Sequence, residues 1–427
     1  MTRTTSTAPR TGRATPDASR RPTGAGSAER TGGRTGDGAR RALDGARAVT
    51  VSLGERVQAG DRNVYLLLGI TLFLVVYGLV MVLSSSAVEE FAAGNAVSDK
   101  FVRQAVFAVA GIPLMLIASR MPLRFWSALA WPMLIGATVL QALVLTPLGI
   151  EEKGNRAWLD IGGLTFQPAE LLKVALVVWL GFIVSRKREK LTDWRHVAIP
   201  ILPVLAVSIG IALAGGDLGT VIIIGGLVLG ALYFGGVPMR FLLIAVTAAA
   251  AGAIAMVLVS GNRMSRITCF INDTCPYETW GWQSAHGRYA LAAGGLFGVG
   301  LGNSSAKWSW LPEADNDFIF AIVGEELGLV GALVMILLFV ALALVMVRII
   351  VSTDDPFRRT TIGGVAVWLV FQAFVNMAVV LDLLPVLGVP LPLVSSGGSA
   401  LITTLLAIGI VVSMANEHER PERRRTA

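Results

Sequence analysis

Apolar runs long enough to cross a bilayer recur along this chain, and no other feature limits its fold so strongly. About 20 apolar residues are needed to span the hydrocarbon core as a helix. Ten such runs fall at 64–84, 104–120, 127–147, 169–185, 197–214, 219–236, 241–260, 318–347, 362–384 and 399–414. They are continuously apolar and lack the alternation of a lipid-facing strand, which excludes a β-barrel. Of 427 residues, 54% are hydrophobic and only 15% charged, too few charges for a soluble domain of this length. The expectation is an all-α polytopic membrane protein with ten transmembrane helices.

Ten spans place both ends of the chain on one side. The basic segments "SRMPLR" (119–124), "SRKREK" (185–190), "VPMR" (237–240), "RIIVSTDDPFRR" (348–359) and "ERPERRR" (419–425) then share that side, together with the arginine-rich start. By the positive-inside rule it is the cytoplasm. Residues 1–63 are rich in Thr, Arg, Gly, Ala and Ser and are expected to be a disordered basic cytoplasmic tail. Residues 415–427 form a second cytoplasmic tail, and 64–414 the membrane domain. The first apolar run is long enough to span, which argues against a cleaved signal peptide. The net charge of +7 reflects this topology, because no zinc spacing, Walker loop or dinucleotide fingerprint accompanies it. No nucleic-acid partner is expected.

The opposite face receives the loop 148–168, the turn "GGDLG" (215–219), the long loop 261–317 and "LPVLGVPLPLVSSGG" (384–398). Trp280, Trp282, Trp308 and Trp310 suit a membrane interface. "YALAAGGLFG" (289–298) fits an amphipathic helix lying on that surface. Cys269 and Cys275 are the only cysteines, both in this outward loop, where a disulfide is expected.

Ionisable groups at membrane depth mark functional sites by default. Pro168 suits the first turn of a helix, and Glu170 and Lys173, three residues apart, share a face and can pair. Spacing alone favours a structural salt bridge over the alternative, a polar lining for a charged headgroup. Asp217 between glycines reads as turn chemistry, Asn376 and Asp382 as interhelical hydrogen-bonding groups, and Arg103 as a snorkelling or phosphate-binding cation. In "WSWLPEADNDFIFAIVGEELG" (308–328), Asp315 or Asn316 is expected to cap the next helix. Asp317 then falls in its first turn, an ionised carboxylate able to accept a proton. Glu325 and Glu326 project about 100° apart and are expected to find structural partners in the bundle.

"NRAWLDIGGLTFQPAELLK", "GGDLGT", "GGLFGVGLGNSSAKWSWLPEADNDFIFAIVGEELGLVG" and "LLPVLGVPLPLVSSGGS" together resemble the SEDS family (shape, elongation, division and sporulation), over about residues 64–414. The resemblance is strongest to its division-type member. It implies a peptidoglycan glycosyltransferase that polymerises lipid II, with Asp317 as the essential aspartate. It further implies Arg103, Trp158, Gln167, Glu170, Lys173, Asp217, Asn376 and Ser395 as substrate-binding residues. A divalent cation, Mg or Mn, would assist the leaving group, and no organic cofactor is implied. Implied partners are lipid II, membrane lipids, a class B penicillin-binding protein and other division proteins at the septum of the bacterial cell membrane. Alternatives within reach of the same residues are a lipid II flippase, an elongation-type polymerase and a recruiting scaffold. The concentration of polar groups on one face favours an enzyme. Departures from the family pattern are Asp315 and Asn316 in place of His-Thr, Ser396 in place of an aromatic, Thr165 in place of an arginine found in some relatives, and Gly216 in place of proline.

Overall fold

The computed structural model describes residues 35–152, 155–162, 164–259, 268, 270, 272, 280–308 and 310–416. Cys269 and Cys275, and the bridge expected between them, lie outside the described residues. The chain divides into two units at Glu55/Arg56. In the first, residues 35–55 have helical backbone, within the stretch expected to be tail. The second unit holds everything that follows.

Its helices are the part of α1 (Thr35–Ala92) from Arg56 onward, α2 (Asp99–Arg120), α3 (Leu123–Leu143), α4 (Pro168–Arg186), α5 (Trp194–Ala214), α6 (Leu218–Phe234) and α7 (Met239–Val259). They continue with α8 (Trp280–Gly294), α9 (Ile319–Val351), α10 (Pro356–Val380) and α11 (Gly398–Asn416). Among the described residues eight helices are long and apolar enough to cross a membrane, α1 through its Arg62–Ala92 portion, and Leu218–Phe234 and Met239–Gly252 are shorter apolar helices. The protein is thus an all-α multi-pass membrane protein. One addition was not expected: residues 149–166 form a small antiparallel sheet, β1 (Gly149–Glu152), β2 (Asn155–Ile161) and β3 (Leu164–Phe166), in that order. Leu159 pairs with Gly149 on one side and Phe166 on the other. Ala157 and Leu159 point inward and are buried, the period of two that a half-buried strand requires.

α4 is enclosed on nearly every side, from Ala169 to Val184, and α10 and α11 are almost as deep. α3 and α5 instead turn most of their apolar surface outward, as lipid-facing helices do. Small residues allow the close crossings. A Cβ added at Gly409 would lie 2.5 Å from the Met115 carbonyl oxygen, so α11 can meet α2 backbone to backbone. Arg358 of α10 donates to the carbonyls of Met414 and Ala415, satisfying the open C-terminal end of α11.

α9 is broken. Gly328 has φ 67° and ψ −166°, a conformation confined to glycine, and the helix changes course there. Backbone groups freed at membrane depth must be satisfied within the protein. The segment after α8 does this: Val299 N–H donates to the Glu325 carbonyl (3.0 Å) and Gly300 N–H to that of Glu326 (3.0 Å), while Leu329 N–H donates to the Gly295 carbonyl (2.9 Å). A Cβ at Gly298 would meet the Glu326 carbonyl oxygen at 2.1 Å, so only glycine lets the segment come this close. The stretch expected as a surface helix over 289–298 is therefore the end of α8 followed by a backbone insert against the break.

Candidate functional site

Two adjoining cavities open where β2, the segment before α9, the start of α2 and the loop 385–397 converge. The first encloses about 340 Å³ and is lined by Asp317, Trp158, Gln167, Asp217, Gln283 and the 385–390 backbone among others. The second, about 270 Å³, is lined by Lys100, Arg103, Gln104, Glu89, Asp315 and Thr165 among others. Trp158, Glu313, Asn316, Ser396 and Gly397 belong to both walls.

The expected cap is not made. The N-cap position of α9 is Phe318, with no side-chain cap bond, and Asp317 stands just before it rather than in the first turn. Asp315 and Asn316 are used elsewhere. Asp315 is buried, 3.3 Å from the Lys100 ammonium, and accepts from the Ser396 hydroxyl at 2.7 Å. Asn316 donates to the Glu313 carboxylate at 3.1 Å. A cation and a hydroxyl outcompeted the helix end, since a buried carboxylate needs charge or several donors to repay its lost hydration.

The loop 385–397 is pinned from beneath. Asn376 Nδ2 donates to the Asp317 carbonyl (2.7 Å) and to that of Val389 (2.7 Å). Ser395 donates to the Asn316 carbonyl (2.7 Å) and accepts from Leu391 N–H (2.7 Å). Gln104 grips the same loop from α2, donating to the Ser395 carbonyl (3.0 Å) and accepting from Gly397 N–H (3.2 Å). Asn376 and Ser395 are thus buried fasteners behind the cavity wall, while Ser396, singled out in the sequence only as a departure, faces both cavities.

Gln167 and Asp217 do line the first cavity. Asp217 caps α6, accepting from Thr220 N–H (2.9 Å) and the Thr220 hydroxyl (2.6 Å), as its turn chemistry predicts. Gln167 donates to its second oxygen at 3.3 Å. Pro168 occupies the first position of α4. Arg103 reaches the second cavity from an exposed position.

Glu170 and Lys173 line neither cavity. They form a fully buried pair at 2.9 Å, and Lys173 also donates to Gln372 at 2.9 Å and lies 4.7 Å above the Trp368 ring. The headgroup contact expected of them is replaced by a structural pair, because α4 is enclosed and its interior charge has to be matched locally. Glu325 and Glu326 are structural as expected. Glu325 accepts from Ser305 N–H (2.9 Å) and the Ser305 hydroxyl (2.7 Å). Glu326 accepts from the Ser84 hydroxyl and pairs with buried Lys307 at 3.2 Å.

Sequence reasoning missed Glu313, Gln283, Lys100 and Gln104. Glu313 adopts φ 58° in the turn before Asp317, and its carboxylate stood in the quoted motif two residues before Asp315. Among the described residues no three of His, Cys, Asp or Glu converge on one point as a metal-holding cluster.

Chemically, the arrangement is a carboxylate on the wall of a cavity, an indole and amides beside it, and two cations in the adjoining space. Proteins of similar sequence include the probable peptidoglycan glycosyltransferase FtsW of Mycobacterium tuberculosis (strain ATCC 25618 / H37Rv), 36% identical over 356 residues, 83% of this chain and 68% of that one. The probable peptidoglycan glycosyltransferase FtsW of Geobacter sulfurreducens (strain ATCC 51573 / DSM 12127 / PCA) is 35% identical over 369 residues, 86% of this chain and 98% of that one. The rod shape determining protein RodA of Thermus thermophilus superposes with a TM-score of 0.61 at 27% identity, covering 83% of this chain and 97% of that one. A chain from a structure described as "Structural coordination of polymerization and crosslinking by a peptidoglycan synthase complex" superposes with a TM-score of 0.68 at 26% identity, covering 83% and 98%. The FtsW/RodA/SpoVE family, described as "Cell cycle protein", matches residues 65–420, and the chain belongs to it.

Proposed function

We propose that the chain is a division-type peptidoglycan glycosyltransferase that polymerises lipid II, with Asp317 as general base. One observation carries the reading: the Asp317 carboxylate-bearing residue lines a cavity walled by Trp158, Gln167 and Asp217, with Lys100 and Arg103 in the space next to it. The names of the relatives support the same activity. The two shorter apolar helices complete ten spans, both termini lie in the cytoplasm, and the cavities face outward, in keeping with the basic segments on the other side.

Asp317 takes the proton of the 4-hydroxyl of the acceptor's N-acetylglucosamine. That oxygen forms a bond to the anomeric carbon of the donor's N-acetylmuramic acid as the bond to undecaprenyl diphosphate breaks. The electron pair leaves on the diphosphate, and the configuration inverts. Arg103 and Lys100 are the cations near enough to the cavities to stabilise that charge. Three carboxylates (Glu89, Glu313, Asp315) line the second cavity against those two cations. This balance favours a diphosphate that arrives with its own divalent ion, Mg or Mn. A class B penicillin-binding protein is the proposed partner, and the septum the proposed location.

The test is polymerisation of lipid II by the purified protein, alone and with a transpeptidase, beside Asp317→Asn. Loss of a general base lowers the rate about 10²–10⁴-fold, with lipid II binding retained. Full polymerase activity in Asp317→Asn would sink the assignment. Lipid II translocation into liposomes that survives the substitution would mark a separate flippase role, and a fluorescent fusion at side walls would point to elongation.

A further inference from the structure

The first two turns of α8 carry Trp282 and His286, four residues apart and therefore on one helix face. Their rings lie 4.1 Å apart at 30°. Trp310, from the segment that leads to Asp317, lies nearly parallel to Trp282, 6.1 Å away at 10°, and 5.8 Å from His286 at 21°. Two hydrogen bonds lock the group. Trp282 Nε1–H donates to the Trp310 carbonyl at 2.6 Å, and His286 Nδ1–H donates to the Trp282 carbonyl at 2.9 Å.

Tryptophans of a membrane-interface belt place amphipathic rings among the headgroups. Here the rings are stacked on each other and bolted to backbone, and the outermost, Trp310, keeps 53% of its surface exposed. The group also abuts the proposed site. Gln283, beside Trp282, lines the Asp317 cavity. A Cβ added at Gly287, beside His286, would lie 3.1 Å from the ring of Phe318, the residue after Asp317. Glu313, three residues beyond Trp310, lines both cavities.

We propose that the Trp282–His286–Trp310 stack is a saccharide platform that holds the growing β-1,4-linked N-acetylated glycan where it leaves the Asp317 cavity. The proposal rests on the glycosyltransferase reading for the identity of the sugar. A pyranose with equatorial substituents presents a face of axial C–H groups, weakly positive, and these pack on the negative face of an aromatic ring. Such contacts are individually weak and carry no charge, so a repeating polymer can be retained and still advance. The platform makes no bond. It governs how many additions follow before the product escapes.

The experiment uses the full chain, purified, as wild type, Trp310→Ala, Trp310→Leu and Trp310→Phe, each checked for an unchanged melting temperature. Initial rate and product length are read from lipid II. Separately, a soluble N-acetylglucosamine–N-acetylmuramic acid octasaccharide is titrated against Asp317→Asn protein with and without each Trp310 change. Trp310→Ala is expected to shorten the product severalfold at an initial rate within about twofold of wild type, and to weaken octasaccharide binding about tenfold. Trp310→Phe keeps both properties, and Trp310→Leu, which retains bulk without a ring, replaces the alanine variant if that one unfolds. Unchanged product length and unchanged affinity in the ringless variants overturn the platform and return these residues to the interface belt. If wild type fails to polymerise, the glycosyltransferase reading fails, whereas the titration still decides the platform: no octasaccharide binding that depends on the Trp310 ring overturns it.

Discussion

Asn376 and Asp317 are joined through the backbone: the Asn376 amide donates to the Asp317 carbonyl at 2.7 Å and with its other hydrogen to the Val389 carbonyl at 2.7 Å. One buried side chain on α10 therefore sets the distance between the proposed base and the loop that faces it. Asn376→Leu removes both bonds and leaves two inner carbonyls without this donor. A displacement of about 1 Å at a reacting group costs on the order of 10²-fold in rate. The expected result is a fall in kcat of about that size with KM for lipid II nearly unchanged. A fall in KM-dependent binding alone would contradict the assignment.

Lys173 and Glu170 are expected to report on folding and not on substrate. Lys173→Met leaves Glu170 buried beside no cation, a loss of about 3–5 kcal/mol. Lys173→Met with Glu170→Gln should recover part of it, since no lone charge then remains. Thermal unfolding in detergent measures both. Specific activity per folded molecule, with KM, should stay near wild type for the double variant, and a large rise in KM would restore these residues to the binding site.

Lys100 and Asp315 tie the first turn of α2 to the segment carrying Asp317. Lys100→Met and Asp315→Asn are therefore coupled. A double-mutant cycle on activity should show that the pair of changes costs less than the sum, with an interaction energy of about 0.5–3 kcal/mol. Strict additivity would mean that the contact does no positioning.

Gly328→Ala is expected to destabilise the bundle. Its φ of 67° with ψ −166° strains any other residue by about 1–3 kcal/mol, and a Cβ there would lie 2.4 Å from the Gly298 nitrogen. The readout is a lowered melting temperature. An unchanged one would indicate that α9 can straighten at no cost.

Much of this architecture is written in residue patterns, and the misses have physical causes. Long apolar runs set the positions of the membrane helices, although α1 extends beyond its run at both ends, and Pro168 marks the start of α4, where its missing N–H would be unpaired anyway. The break at Gly328 is silent, since a glycine inside an apolar run looks the same whether a helix passes straight through or turns. The sheet has a signal in the residues: Arg156, Trp158 and Asp160 alternate with Ala157, Leu159 and Ile161, and the dipeptide "GG" that follows is a hairpin signal. Asp315 was assigned to the helix end because local spacing cannot reveal Lys100, more than two hundred residues earlier. For Lys173 the spacing gives the pair with Glu170 that the structure contains, and the binding role is implied by the resemblance alone; its enclosure depends on how α4 is surrounded and not on its own sequence.

The break in α9 also separates two mechanical duties. A transmembrane helix tilts to follow the thickness of its bilayer, and in an unbroken rod that rocking would reach the tip. Here the short arm from Ile319 to Leu327 is anchored through Glu325 and Glu326 to Ser304, Ser305, Lys307 and Ser84, while the long arm is tied to the insert at its start, through Leu329 and Val330. The insert is hydrogen-bonded on both sides of the glycine, to Glu325 and Glu326 before it and to Leu329 and Val330 after it, so the joint is braced, and the short arm that leads to the carboxylate takes its direction from its own neighbours and not from the axis of the long arm.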